Sequence, residues 1–169
     1  HRTNARMLAV PTIASTDAPT SAVVVVYSDA GVLQEAHNLP RNPDLVLVDP
    51  EVIVAAPVRF LVAGMGDALS TWYEARANIE AGTMNYISGG FPATRAAVAI
   101  ARECHAVIME QALKAKLAAE AGVVTQAVED IIEANTLLSG LGFENCGVSA
   151  AHGIHDALTV LPEIHGLLH

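Results

Sequence analysis

The pair Asp49-Pro50 divides the chain into two parts with different local preferences. An aspartate that caps a helix, followed by a proline at the first helical position, is a strong signal for a helix start. Before this point, short apolar runs alternate with turn-forming residues, whereas after it the sequence is helical in character to its end. Because strands come first and helices follow, we predict an α+β fold that is mostly α.

Three segments before Asp49 predict β-strands. Ala22–Tyr27 is β-branched, and Val32–Ala36 could pair with it as a hairpin across the turn Ser28–Gly31. Residues 38–44 contain two prolines and are predicted to form a loop. The apolar run Leu45–Val48 is predicted to be a buried strand.

The helical part is divided by glycine and proline residues. A first short helix is expected to end near Pro57, and a Gly/Ser-rich loop is expected over residues 82–92. The segment Gly140–Gly147 is predicted to be a turn. The main predicted helices are Val58–Ala81, Ala93–Ala121, Gln126–Ser139 and Val148–Val160, and Thr125 is the N-cap candidate of the third.

Charge and composition exclude several classes of function. With 9 basic and 18 acidic residues the net charge is −9, and no basic cluster is present, so nucleic-acid binding is not expected. The longest apolar run, Ala22–Tyr27, is far shorter than the ~20 residues that span a bilayer, so no membrane partner is expected. Two cysteines cannot form a disulfide framework, which favours a reduced, cytoplasmic setting.

Histidines are concentrated at the end of the chain. Four of the seven, His152, His155, His165 and His169, lie in the last 18 residues. His152 and His155 are three residues apart and would share one face of a helix. Two such imidazoles with a carboxylate from elsewhere suit Zn²⁺ or Fe²⁺. The spacing fits equally well with histidines that cap or cover a helix.

Asp67 lies in the apolar stretch Ala63–Leu69. A buried carboxylate must be paired, hydrogen-bonded or metal-bound, because burial of an isolated charge is very costly. Gly64 and Gly66 just before it would allow a close backbone approach. The alternative is that Asp67 is a helix N-cap after a glycine turn. These glycines do not form a dinucleotide fingerprint, since no strand leads into a full Gly-x-Gly-x-x-Gly.

The segment Pro11–Ser21 is rich in hydroxyl side chains and contains Asp17. Such a loop could bind phosphate, ribose or a polyol through its hydroxyls and its carboxylate. Its composition is also that of an ordinary surface loop.

Five stretches together resemble the metal-dependent glycerol dehydrogenases, the polyol branch of the iron-type alcohol dehydrogenases. They cover nearly the whole chain, and the first and third are the most specific. The stretches are PTIASTDAPTSA (Pro11–Ala22), NPDLVLVDPEVI (Asn42–Ile53), APVRFLVAGMGDALSTWYEAR (Ala56–Arg76), EANTLLSGLGFENCG (Glu133–Gly147) and AAHGIHDALT (Ala150–Thr159).

The resemblance implies the dehydroquinate-synthase-like fold of that family, with a Rossmann-like domain followed by an all-helical domain and the cofactor and metal between them. Residues 1–56 would then be the last part of the nucleotide-binding domain, and residues 57–169 the helical metal-binding domain. The family's glycine-rich pyrophosphate loop would precede residue 1, and further helices would follow residue 169. We therefore expect this chain to be the middle of a longer enzyme and to be inactive alone.

The resemblance also implies a metal site and a substrate site. Asp67, His152 and His169 would bind Zn²⁺, with Fe²⁺ as the alternative, and would be the catalytic residues. Asp17, together with Asp67 and His152, would contact the substrate, and His155 would line the site without binding the metal. Thr71 stands where general iron-type enzymes carry a further histidine, which fits the zinc-using branch. NAD would be contacted by Thr12, Ser15, Ser21, Val23 and Tyr27.

The implied function is NAD-dependent, zinc-dependent oxidation of glycerol or a related vicinal diol to dihydroxyacetone, by a homo-oligomer. The metal would act as a Lewis acid on a substrate hydroxyl, and the cofactor would accept the hydride. Two alternatives stay open at this point. One is an inactive remnant that serves as a helical assembly module. The other is a dehydroquinate-synthase-like lyase, against which stands the scarcity of Arg and Lys around the motifs.

Overall fold

A computed structural model of the chain describes residues 5–87 and 89–169. Over these residues the fold is mostly α, with two small sheets that precede the helices, as predicted. The strands are β1 (Leu8–Ala9), β2 (Val23–Tyr27), β3 (Leu33–Asn38) and β4 (Leu45–Val46). The helices are α1 (Pro50–Ala55), α2 (Val58–Ala81), α3 (Arg95–Glu120), α4 (Gln126–Glu133), α5 (Ser139–Cys146) and α6 (Ala150–Leu158).

The two sheets have different topologies. β2 and β3 form the predicted antiparallel hairpin, with Val24 opposite His37. β1 and β4 pair in parallel over two residues each. The prediction of a buried strand over Leu45–Val48 is wrong, because the strand is only two residues long and Leu45 and Leu47 are 57% and 55% exposed. Both leucine side chains lie at the protein surface.

The helix starts are capped by the side chains that the sequence indicated. The Asp49 carboxylate accepts the Glu51 N–H at 2.9 Å at the start of α1. The Thr125 hydroxyl accepts the Val128 N–H at 3.4 Å at the start of α4. At the other end of α2, Gly82 has the left-handed conformation (φ 66°) typical of a helix C-terminus.

The predicted turn over Gly140–Gly147 is wrong, because the chain stays helical there. After α4 the backbone continues through a π-helical segment, Ala134–Leu138, directly into α5. Gly142 serves close packing, since a Cβ at this position would lie 2.6 Å from Cγ2 of Thr71. Only Gly147, with φ 78°, ends the helix.

The main core lies between α2, α3 and α4 and is built from small and aliphatic side chains. Ala14, Ile53 and Val54 from the first third of the chain belong to the same core. The core therefore extends across the proposed domain boundary at residues 56 and 57, and that boundary stays a prediction. In the part of the chain that the structure describes, no helix combines the length and the apolar character needed to cross a bilayer.

Candidate metal centre

Asp67 lies in the middle of α2, not at its start, so the N-cap interpretation is wrong. Its side chain is 3% exposed. Oδ2 is buried and has no hydrogen-bond partner among the described residues. Gly64 permits the close approach that was predicted, because a Cβ there would collide with the carbonyl oxygen of Ala14. Gly66 faces open space and has no such role.

Two imidazoles face this carboxylate. Nε2 of His152, on α6, lies 3.7 Å from Oδ1 of Asp67, and Nε2 of His169 lies 3.6 Å from the same oxygen. These separations are too long for good hydrogen bonds. Ligand atoms of the three residues all lie within 4.8 Å of one another. With Zn–N and Zn–O bonds of roughly 2.0–2.2 Å, such a spacing leaves room for one ion between them.

Glu74, which the sequence analysis missed, completes the surroundings of His152. Its Oε2 lies 2.6 Å from Nδ1 of His152, and its Oε1 accepts the backbone N–H of Ser149 at 2.7 Å. A carboxylate that fixes the second nitrogen of a metal-binding histidine is a common feature of metal sites. The available signal was its position on α2, seven residues after Asp67, which places both carboxylates on one helix face.

Asp17 is tied to the same region through Ser139. The Ser139 hydroxyl donates to Oδ2 of Asp17 at 2.6 Å, and the Thr71 hydroxyl lies 2.9 Å from the Ser139 oxygen. Burial raises the pKa of Asp17 to about 8, and the nearby negative charge of Asp67 contributes to the shift. Asp17 therefore lies close enough to Asp67 for the charges of the two carboxylates to interact.

Burial and neighbouring charges shift the pKa values of Asp67, His152 and His169. Burial raises the pKa of Asp67, and the two facing imidazoles only partly oppose this. Burial lowers the pKa of His169 below its ordinary value. For His152 burial acts in the same direction, but the hydrogen bond and charge of Glu74 outweigh it and raise its pKa. A bound cation would stabilise the ionised carboxylates here.

The other histidines of the C-terminal group have different surroundings. His155 lines the cavity at Asp67, and its Nε2 lies 3.2 Å from Nδ1 of His169. His155 therefore borders the site as expected, and its absence from the metal ligands stays a prediction. His165 donates from Nε2 to the carbonyl oxygen of Thr159 at 2.8 Å, which is a structural contact.

The five predicted NAD positions lie along one segment that leads into β2. Thr12 and Tyr27 are exposed, Ser15 and Val23 are half-buried, and Ser21 is buried. The Ser21 hydroxyl accepts the N–H of Val23 at 2.8 Å and so shapes the start of the strand. None of the five is among the described residues that line the cavity at Asp67. Their contact with NAD stays a prediction.

Comparison with known proteins shows what the chain as a whole is similar to. No family model matches the chain. It is 52% identical over 163 residues to the glycerol dehydrogenase of Citrobacter freundii, which includes 96% of this chain and 44% of that protein. The chain thus spans less than half the length of this curated relative.

Solved structures show the same relationship. A probable glycerol dehydrogenase from Sinorhizobium meliloti 1021 superposes with a TM-score of 0.96 at 67% identity, over 99% of this chain and 47% of that one. An iron-containing alcohol dehydrogenase from Thermotoga maritima superposes with a TM-score of 0.70 at 22% identity, over 95% of this chain and 40% of that one. The second match shows a shared fold.

Proposed function

Because this chain is a homologue of the glycerol dehydrogenases and shares the fold of iron-containing alcohol dehydrogenases, we propose that it carries the metal centre and polyol site of such an enzyme. The proposed reaction is the oxidation of glycerol, or of a related vicinal diol, by hydride transfer to NAD. Oxidation at the secondary carbon of glycerol would give dihydroxyacetone.

The observation that carries the proposal is the unpartnered Oδ2 of Asp67 beside two imidazoles. One carboxylate and two histidines leave an open position at a four-coordinate zinc ion, which is typical of catalytic sites. Thr71 does not replace the missing fourth ligand, since its hydroxyl pairs with Ser139. We therefore propose Zn²⁺ as the resident ion, with Fe²⁺ as the alternative.

The chain's own residues have separate roles in this reaction. Asp67, His152 and His169 would hold the ion, and Asp17 would orient the polyol. Since the Ser139 hydroxyl engages Oδ2 of Asp17, Oδ1 of that carboxylate can accept a substrate hydroxyl. When bound, zinc supplies a Lewis acid for the reacting hydroxyl, and NAD supplies the hydride acceptor. Thr12, Ser15, Ser21, Val23 and Tyr27 are the proposed NAD contacts.

We also propose a homo-oligomer in the cytoplasm, without nucleic-acid or membrane partners. The net charge of −9 disfavours phosphate backbones. Both cysteines are free and buried, in accord with a reducing compartment. Apolar side chains on the exposed face of α3, Met109, Leu113 and Leu117, could take part in subunit contacts.

The metal centre is tested by titrating the chain with zinc. We expect the wild-type chain to bind one Zn²⁺ and the Asp67→Ala variant to lose stoichiometric binding, because the site loses its only charged ligand. Asp130→Ala on α4 is the matched control and should bind like the wild type, because the Asp130 carboxylate only accepts an exposed hydrogen bond from the Gln126 side chain. A variant that retains stoichiometric zinc without Asp67 would contradict the assignment.

A further inference from the structure

Glu74 is neither one of the proposed metal ligands nor one of the proposed substrate contacts, although its side chain is only 3% exposed. It lies on α2 seven residues after Asp67, about two helical turns further along the same face. We propose that Glu74 is a positioning residue, which holds the His152 ring with Nε2 directed at the metal and ties α6 to α2. This inference rests on the metal centre of the proposed function.

The first argument is the hydrogen bond to the ring. Oε2 of Glu74 lies 2.6 Å from Nδ1 of His152, and an ionised carboxylate can only accept. Nδ1 therefore carries the proton, which leaves Nε2 of the neutral ring with its lone pair. Nε2 is the atom that lies 3.7 Å from Oδ1 of Asp67. The ring thus spans the distance between two carboxylates of one helix.

The second argument is the hydrogen bonding of the other carboxylate oxygen. Oε1 of Glu74 accepts the backbone N–H of Ser149 at 2.7 Å and that of His152 at 3.0 Å. Ser149 precedes α6, and its own side chain makes no capping hydrogen bond. One carboxylate therefore fixes both the backbone at the start of α6 and the ring that this helix carries.

The next turn of α2 strengthens the same connection. The Asn78 side-chain amide donates to the carbonyl oxygens of Cys146 at 3.1 Å and Val148 at 3.2 Å. These carbonyls lie on either side of Gly147, where α5 ends. Asn78 thus fixes the backbone between α5 and α6, whereas Glu74 also makes a hydrogen bond with the His152 ring. The ring contact distinguishes a positioning role from a structural one.

The test is a titration with Co²⁺, whose visible absorption reports both binding and coordination geometry. We compare the wild type with Glu74→Gln, which keeps an oxygen for the two backbone N–H groups but removes the negative charge at the ring. We expect Co²⁺ to bind about 10- to 100-fold more weakly to this variant. Glu80→Gln is the matched control, because Glu80 lies on the same helix with a side chain that is 72% exposed. It should bind like the wild type.

A second measurement needs no variant and no metal. Nitrogen-15 NMR of the metal-free wild type, at a pH where the imidazole is neutral, should show His152 protonated at Nδ1. Protonation at Nε2, or Co²⁺ binding to Glu74→Gln that equals the wild type, would overturn the role of Glu74. A wild type that binds no Co²⁺ would instead contradict the metal centre of the proposed function, and the inference with it.

Discussion

At the scale of single residues, the site depends on buried polar groups that hold one another in place. Thr71, Ser139 and Asp17 form a chain of hydroxyls that ends at a carboxylate. Ser139 donates its proton to Asp17, so Thr71 must be the donor toward Ser139. The resemblance places Thr71 where general iron-type enzymes would carry a further histidine. In this chain, Thr71 instead supports Asp17 through Ser139.

The role of Thr71 can be tested with Thr71→Val, which keeps the shape of the side chain and removes the hydroxyl. We expect the free energy of unfolding to fall by about 0.5–1.5 kcal/mol, the net contribution of a typical buried hydrogen bond. Zinc affinity should stay unchanged, because Thr71 is not a ligand. Denaturant unfolding and zinc titration measure the two effects. Thr83→Val, at an exposed position after α2, is the control. A large loss of zinc affinity would show that Thr71 binds the ion.

The two cysteines provide a pH-dependent prediction. Burial raises the pKa of Cys104 to about 12 and that of Cys146 to about 11. At pH 9 both thiols stay protonated in the folded chain, whereas unfolded thiols ionise. Reaction with a thiolate-selective disulfide reagent at pH 9 should therefore be slow until denaturant is added. The same shifts predict that stability decreases as the pH rises above about 9, because only the unfolded state then loses these protons. Fast labelling of the native chain would contradict both statements.

At the scale of elements, α2 and α6 line the cavity at Asp67, and the segment from α4 to α5 supports the loop that carries Asp17. α2 carries Asp67, Thr71, Glu74 and Asn78, spaced three or four residues apart along one buried face. The π-helical segment contributes the Thr136 carbonyl, which accepts the Thr20 hydroxyl at 2.6 Å. This contact fastens the loop that carries Asp17. Short π-helical stretches within helices are frequent at functional sites.

Close packing at Gly142 can be tested by Gly142→Ala. The added Cβ would lie 2.6 Å from Cγ2 of Thr71, so the Thr71 side chain or one of the two helices must shift. We expect a loss of roughly 1–3 kcal/mol in the free energy of unfolding. Gly153→Ala in α6 is the matched control, since nothing lies within 4 Å of its added Cβ. The control should be neutral or stabilising by about 0.5–1 kcal/mol, because alanine is the better helix former. Equal effects of the two changes would argue against the packing role.

At the scale of the whole molecule, the metal ligands and the proposed substrate contact come from distant parts of the sequence. Asp17, Asp67 and His152 come from a loop, from α2 and from α6, and His169 follows α6. The chain spans 44% of the length of the curated relative from Citrobacter freundii. The sequence shows no full glycine-rich dinucleotide fingerprint, the feature that holds a pyrophosphate at a helix N-terminus.

We therefore expect the 169-residue chain by itself to bind zinc but to bind NAD weakly and to oxidise no glycerol. Isothermal titration with each ligand, beside an assay of glycerol oxidation, measures this. Micromolar NAD affinity with measurable turnover of the chain alone would refute the expectation.

In a complete enzyme that contains these residues, Asp17→Ala should raise the KM for glycerol while metal content stays constant, since a hydrogen bond to a charged group contributes about 1.5–3 kcal/mol.

The sequence by itself determined the order of strands and helices, the capped helix starts and the relationship to the glycerol dehydrogenases. These depend on local preferences, such as Asp49 before Pro50, or on long identical stretches. It did not determine that residues 140–146 are helical, because glycine favours a turn locally. The packing roles of Gly140 against Thr20 and of Gly142 against Thr71 are visible only in the folded chain. Nor did it identify Glu74, whose partner lies 78 residues later on another helix. Such pairs are decided by the tertiary structure, since burial of an ionised carboxylate is tolerated only where folding brings its partners to it.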